Sequence, residues 1–342
     1  MKIAIMGAGS LGTIIGAYLS KRNELVELID VNQAHVDVLN QSGATITGTI
    51  NETIAVKAIT PDKMEGHYDL VLLLTKQMYN TEVLENLEPH LDEDSIVLSL
   101  QNGVPEDSLA TVLGRKRIVG GSVEFGATWV EPGVSELTTA AEAFQANAFQ
   151  IGELDGTTTE RIQQIKGILE GVGNTTISAN LIGTKWAKLL VNVAMSGMSA
   201  VLGCAYGDVL KNEIAVMSAV MLADETIKVG TASGVEFDEL AGFNLNIFNI
   251  ATDKANLPQA IGFTKKAFAP QALLKASMLQ DLEKKQKTEI DYINGFVSAK
   301  GKEVNISTPF NDLLVRLVKK AEEEKTLPDF EENLAYFEAL LS

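Results

Sequence analysis

Lys188, Asn192 and Ser196 recur at intervals of four within "WAKLLVNVAMS", a stretch whose other side chains are almost all apolar. That spacing places the three in one narrow line on an otherwise buried helix. Charged groups are rarely buried without a partner, so a polar line on an apolar cylinder implies a helix that lines a cleft. The bland alternative is that Lys188 reaches solvent along its stem while Asn192 and Ser196 bond back to their own helix. A second stretch, "KTEIDYINGFV", weighs against it. Read as one helix, it puts Glu289 on a face with Ile293, Phe296 and Val297, opposite Lys287, Asp291, Asn294 and Ser298. A carboxylate on a core face needs a cationic partner, and Lys188 is the candidate. A partly desolvated lysine can protonate a carbonyl oxygen as it becomes an alkoxide. His35, His67 and His90 all lie in polar or loop-like surroundings and are expected at the surface, so histidine chemistry is not expected.

The first thirty residues supply the other half of a redox site. A short apolar strand runs into "GAGSLG", Gly7 to Gly12, and then into a helical pattern. In such a turn Gly7 permits the bend, Gly9 lets a pyrophosphate approach the backbone, and Gly12 lets helix and strand pack closely. The first amides, at Ser10 and Leu11, then face the phosphates. A second strand, "LVELID", ends in Asp30, 18 residues after Gly12, where an acid is expected to accept from the ribose hydroxyls. A carboxylate there repels a 2′-phosphate, and no Lys or Arg occurs from residue 24 to 56. The charge argument therefore favours NAD, with NADP kept open. The structural alternative is that Asp30 caps the helix "NQAHVDVLN".

These residues need a frame. Two more apolar strands, "YDLVLLLTK" and "DSIVLSLQNG", deliver Lys76 and Asn102 to strand ends, where open parallel sheets bind ligands. Beyond Arg117, "RIVGGSVEFGATWVEPGVSEL" and "AFQIGEL" read as antiparallel strands closing the same sheet. From Leu181 on, a 3.6-residue period dominates, with long helices expected over 213–231, 288–299 and 308–323. Residues 234–271 read as a loop, or a lid with short helices. The expected fold is α/β, an N-terminal Rossmann dinucleotide-binding domain (1–178) followed by an all-helical substrate domain (179–342).

Composition sets the bounds. At 342 residues the chain is long enough for two cores. Its net charge of −17 disfavours nucleic acid and anionic membranes as partners. Cys204 is the only cysteine, so neither a disulfide nor a cysteine-based metal cluster is expected. The uncharged run 3–19 is broken by four glycines and lacks a cleavage site, so it reads as fold rather than leader. A cytoplasmic protein is expected.

Taken together, "GAGSLG", "LLTK", "LQNG", "KWAKLLVN" and "SMLQD…TEIDYING" resemble the ketopantoate reductase (2-dehydropantoate 2-reductase) family along essentially the whole chain. The resemblance implies an active site between the two domains and hydride transfer from NAD(P)H to a 2-oxo acid, giving a D-2-hydroxy acid. It assigns catalysis to Lys188 and Glu289, the nicotinamide side to Lys76 and Asn102, and substrate contacts to Asn192 and Ser277. Ser196 stands where the family usually repeats asparagine, and Leu274 where it often has another. Asp30 replaces the basic residue of NADPH-using members, and extra length falls between Gly234 and Leu274. Those departures resemble the NAD-linked D-2-hydroxyacid dehydrogenases of the D-mandelate type, which act on bulkier apolar acids. The expected partner is a small 2-oxo acid, with a homodimer compatible. A non-catalytic NAD-binding sensor on the same fold is the remaining alternative, disfavoured because Lys188 and Glu289 are both kept.

Overall fold

The computed structural model describes residues 1–22, 25–239 and 242–342, which form two compact units, Met1–Leu181 and Ile182–Ser342. In the first, twelve strands follow in chain order: β1 (Lys2–Met6), β2 (Leu25–Ile29), β3 (Ala44–Gly48), β4 (Glu52–Ile54), β5 (Lys57–Ile59), β6 (Leu70–Leu73), β7 (Ile96–Ser99), β8 (Ile118–Val123), β9 (Ala127–Glu131), β10 (Val134–Leu137), β11 (Phe149–Gly152) and β12 (Thr175–Ile177). Eight of them form one sheet in the order β12-β11-β8-β7-β6-β1-β2-β5. All neighbours in it are parallel except β8 and β11.

Alternation along β1 shows why both faces are apolar. Ile3 and Ile5 join Ile14, Ile15 and Leu19 of the helix Ser10–Ser20, with Ile162, Ile165 and Leu169 of the helix Glu160–Leu169. Ala4 and Met6 turn the other way, onto Leu84, Leu87, Leu109 and Leu113 of the helices Asn80–Leu87 and Glu106–Leu113. A parallel sheet covered by helices on both sides reads as continuous hydrophobic strands. This is the expected Rossmann arrangement.

The expectation that everything from 118 to 152 closes this sheet holds only for β8 and β11. β9 and β10 instead join β3 and β4 in a separate sheet ordered β4-β3-β10-β9. There β10 lies parallel to β3, pairing Val134 with Thr45. Nothing local marks a partner some 90 residues away, which is why the pattern alone assigned these strands to the wrong sheet.

The second unit is helical, with no strand among its described residues. Its longest helix, Glu213–Ala232, is buried along most of its length. One expectation needs correction. Residues 288–299 are not one helix: a 3-10 turn, Ile290–Tyr292, is followed by a break at Ile293 (φ −109°, ψ −90°), and the helix runs from Asn294 to Glu303. The face assignment therefore fails, since Asn294 and Ser298 are buried. Glu289 is buried as well, but from the residue preceding the turn. The segment 234–271 contains short helical pieces, as read from the sequence: a 3-10 turn, Leu245–Phe248, and the helix Leu257–Phe268. Phe243 and Phe248 set ring edges against Phe263, and the Ile250 amide donates to Asp224 Oδ1 at 2.8 Å, tying the segment to the long helix. Residues 240 and 241 lie outside the described residues. No helix among those described is long and apolar enough to cross a membrane.

Glu225, on the long helix and only 5% exposed, caps the helix Pro309–Glu324. Its carboxylate accepts from the amides of Phe310 (2.8 Å) and Asn311 (2.9 Å) and from Asn311 Nδ2 (2.7 Å). Burial nevertheless dominates and pushes its pKa up to about 7.

Two outcomes follow from these contacts. Glu225 holds its proton more tightly folded than unfolded, so its contribution to stability falls as pH rises from the ordinary carboxylate range to about 7. Glu225→Gln should flatten that slope by up to about 3 kcal/mol, whatever its uniform cost, as read from denaturant unfolding between pH 4.5 and 8. A Cβ on Gly12 would lie 2.1 Å from the Gly7 carbonyl oxygen. Gly12→Ala should therefore destabilise by about 1–3 kcal/mol, seen as a lowered thermal midpoint.

Candidate active site

The order of the main sheet defines where a ligand can sit. From β1 the chain moves one way to β2 and β5, then returns to β6 on the other side and continues to β7 and β8. The crevice at such a reversal, outside the carboxyl ends of the strands, is where open α/β sheets bind ligands. The glycine turn leaves β1 on one side of it and Thr75 and Lys76 leave β6 on the other. The two are packed together: the Leu74 amide donates to the Met6 carbonyl at 2.9 Å, and a Cβ on Gly7 (φ +98°) would meet the Thr75 nitrogen at 2.8 Å. Gly9 is the opposite case. It is exposed at the N-cap of the helix Ser10–Ser20, with no protein atom within 4 Å of a would-be Cβ. An open glycine before a helix N-terminus fits a pyrophosphate resting on the amides of Ser10, Leu11 and Gly12.

Asp30 follows β2 directly. Its Oδ1 accepts from the Asn32 amide at 2.9 Å. The helix Gln33–Ser42 is capped by Asn32, whose Oδ1 accepts from the His35 amide at 3.2 Å. Capping therefore does not occupy Asp30.

His35 overturns the surface reading given to it. It is 1% exposed, and its ring bridges the glycine turn to the second sheet. The Gly133 amide donates to Nδ1 at 2.9 Å, so the proton sits on Nε2 and is donated to the Ala8 carbonyl at 2.8 Å. Thr13 Oγ1 donates to that same carbonyl, also at 2.8 Å. The sequence missed this because Gly133, in the β9–β10 turn, is 98 residues away. His67 is exposed and His90 half-buried.

At the far side of the crevice, polar side chains brace the two strand ends. Gln101, buried after β7, donates through Nε2 to the Thr75 carbonyl (2.6 Å) and to Asn80 Oδ1 (2.7 Å). Gln77 Nε2 donates to the Asn102 carbonyl at 2.5 Å. Lys76 and Asn102, both half-buried, are thus carried on loops stitched to each other.

In the second unit, the helix Leu181–Val191 does not continue regularly. Residues Asn192–Ser196 form a π turn, in which the Gly197 amide donates five residues back to the Asn192 carbonyl, before the helix Gly197–Leu202 resumes. Four residues of α-helix overshoot a full turn by about 40°. A wider turn removes much of that overshoot between Asn192 and Ser196, the one step of the line that it spans. Lys188 and Asn192 are half-buried, as is Val191, while Ala187, Leu189, Leu190 and Val193 are buried. Ser196 is 8% exposed and its Oγ shares a 2.7 Å hydrogen bond with the hydroxyl of Tyr206, itself buried with its edge against Phe268. Tyr206 carried no signal in the sequence. Glu289 is buried, whereas Ser277, at the start of the helix Ser277–Glu283, and Leu274 are exposed. Among the described residues no group of three or more His, Cys, Asp or Glu is arranged to bind a metal.

Comparisons with known proteins agree with this geometry. Residues 3–153 match the family model for ketopantoate reductase PanE/ApbA, and residues 180–322 match the model for the C-terminal part of the same family. A 2-dehydropantoate 2-reductase of Pyrococcus horikoshii is 32% identical over 323 residues, covering 94% of this chain and 98% of the relative. Among solved structures, D-mandelate dehydrogenase with NADH and anilino(oxo)acetate is similar at 27% identity and a TM-score of 0.81, covering 95% of this chain and 99% of that one. A PanE/ApbA family ketopantoate reductase from Ralstonia eutropha JMP134 is similar at 26% identity and 0.80, with the same coverage.

The bridge made by His35 is open to a direct check. His35→Leu removes the donor to the Ala8 carbonyl and the acceptor for Gly133. We expect faster amide exchange in residues 8–13 and a KM for reduced dinucleotide raised about tenfold, as for the loss of one or two buried hydrogen bonds.

Proposed function

The chain belongs to the ketopantoate reductase family, and from that premise we propose that it reduces a 2-oxo acid to the D-2-hydroxy acid, using NADH and Lys188 as the proton donor. The observation that carries this reading is the half-buried lysine four residues before the half-buried Asn192 on a mostly buried helix, with Ser196 one turn further on. Such a lysine can give its proton to an oxygen as negative charge develops there.

Reduced nicotinamide dinucleotide, when bound, supplies the hydride to the carbonyl carbon of the acid. The residues around the crevice suit it: Gly9 leaves the phosphate approach open, and Asp30 is positioned for the ribose hydroxyls. Lys76 and Asn102 would flank the nicotinamide end. Lys188 Nζ delivers a proton to the substrate oxygen, becomes neutral, and is reprotonated from solvent. Glu289 orients Lys188 and contacts the nascent hydroxyl, while Asn192 and Ser277 bind the carboxylate and other polar groups of the acid.

A second, narrower reading concerns the substrate side chain. Ser196 spends its hydroxyl on Tyr206, and Leu274 offers no polar group. An apolar side chain on the acid suits that wall better than the hydroxyl of ketopantoate, which would need a partner.

Both readings are tested by the same assays. Lys188→Ala should lower kcat on the best 2-oxo acid by about 10²–10⁴-fold, and unchanged turnover would sink the mechanism. In parallel assays of NADH and NADPH on ketopantoate and benzoylformate, NADH with benzoylformate is expected to win. A clear win for NADPH with ketopantoate would overturn the readings of Asp30 and Ser196. Asp30→Ala should narrow the preference for NADH, because the like charge facing a 2′-phosphate is gone.

A further inference from the structure

The π turn must itself be held. A regular helix satisfies its carbonyls internally, whereas a turn with an inserted residue disturbs the ladder, so its carbonyls take partners from outside. Here the Val193 carbonyl, inside the turn, accepts from Asn294 Nδ2 at 3.2 Å. Asn294 is fully buried at the start of the helix Asn294–Glu303, just after the helix break at Ile293. The same Nδ2 donates to Asn311 Oδ1 at 2.9 Å. Asn311 is fixed in turn by Glu225, which takes both its side-chain and its backbone N–H.

A second contact comes from the other end of the turn. A Cβ on Gly197 would lie 3.3 Å from both Oδ1 and Nδ2 of Asn294, and 2.9 Å from Leu314. The amide of Asn294 therefore fits against bare backbone where the turn closes, while bonding to the carbonyl within it. A side chain making both contacts fixes the phase of the helix on either side of the wider turn.

We propose that Asn294 is a positioning residue for the substrate side of the site: its amide fixes the π turn 192–196 and so aims Asn192 at the carboxylate of the 2-oxo acid. The inference rests on the proposed role of Asn192. Asn294 touches neither substrate nor cofactor in this account and acts only through the turn.

The test is steady-state kinetics on benzoylformate and ketopantoate with NADH, using Asn294→Leu, Asn294→Ser, Gly197→Ala, Asn192→Ala and the Asn192→Ala/Asn294→Ser double variant. Asn294→Leu and Gly197→Ala should raise KM for the better acid tenfold or more while leaving KM for NADH within twofold. Asn294→Ser, which keeps a shorter donor, should fall between them and the native enzyme. If Asn294 works through Asn192, its effect should largely vanish in the Asn192→Ala background, a coupling that a merely structural role would not produce. Should Asn294→Leu fail to fold, Asn294→Ser, Gly197→Ala and the double variant carry the test. Lowered thermal midpoints with unchanged KM for the acid, or additive effects in the double variant, would overturn the proposal while Asn192→Ala still impairs the enzyme. Normal kinetics in Asn192→Ala itself would overturn the reading beneath it as well.

Discussion

A lysine and an asparagine can share a helix with a dozen buried apolar side chains only if they all lie on the one strip that the core leaves uncovered. In a regular α-helix residues four apart drift around the axis, so a polar line of three soon turns into the packing. The π turn at Asn192–Ser196 relieves this constraint. Across it Val193, Ala194 and Met195 are buried while Asn192, at its start, stays half-buried. Much of the second unit is organised around it. The long helix Glu213–Ala232 caps Pro309–Glu324 through Glu225, that helix presents Asn311, and Asn311 shares the amide of Asn294 with the turn. Buried polar networks of this kind specify one arrangement strongly because every unpaired member is costly.

The first unit meets a different demand with similar means. Its glycine turn must be open at Gly9 yet immobile, and an open backbone cannot be packed from the ligand side. The restraint comes from behind, through Thr13 and His35 on the Ala8 carbonyl and through Thr75 against Gly7. The second sheet, which lies outside the usual dinucleotide-binding plan, provides the Gly133 amide that sets the His35 tautomer. In the proposed site, this sheet would stiffen the end that receives the phosphates.

Much of this was legible in the residues. The glycine turn, the acid after β2 and the apolar strands before Lys76 and Asn102 are local patterns, and local patterns survive folding. The fold class and the family followed from them. What escaped depends on residues distant in sequence. The β3–β10 pairing and the burial of His35 by Gly133 each need a partner that no short window contains. The break at Ile293 escaped for a related reason: the 3.6-residue period of "TEIDYINGFV" is real, but the tertiary contacts of Asn294 with Val193 and Asn311 override it. The π turn has no sequence signature at all, although its polar line was visible as a spacing.

The most direct measurement is a crystal structure of the protein with NADH and an unreactive, oxamate-type analogue of a 2-oxo acid. The account predicts the analogue's carboxylate in hydrogen-bond contact with Asn192, and its carbonyl oxygen within about 3 Å of Lys188 Nζ. An analogue bound in the presence of NADH with its carbonyl turned away from Lys188, or with Asn192 facing no part of it, would contradict the account.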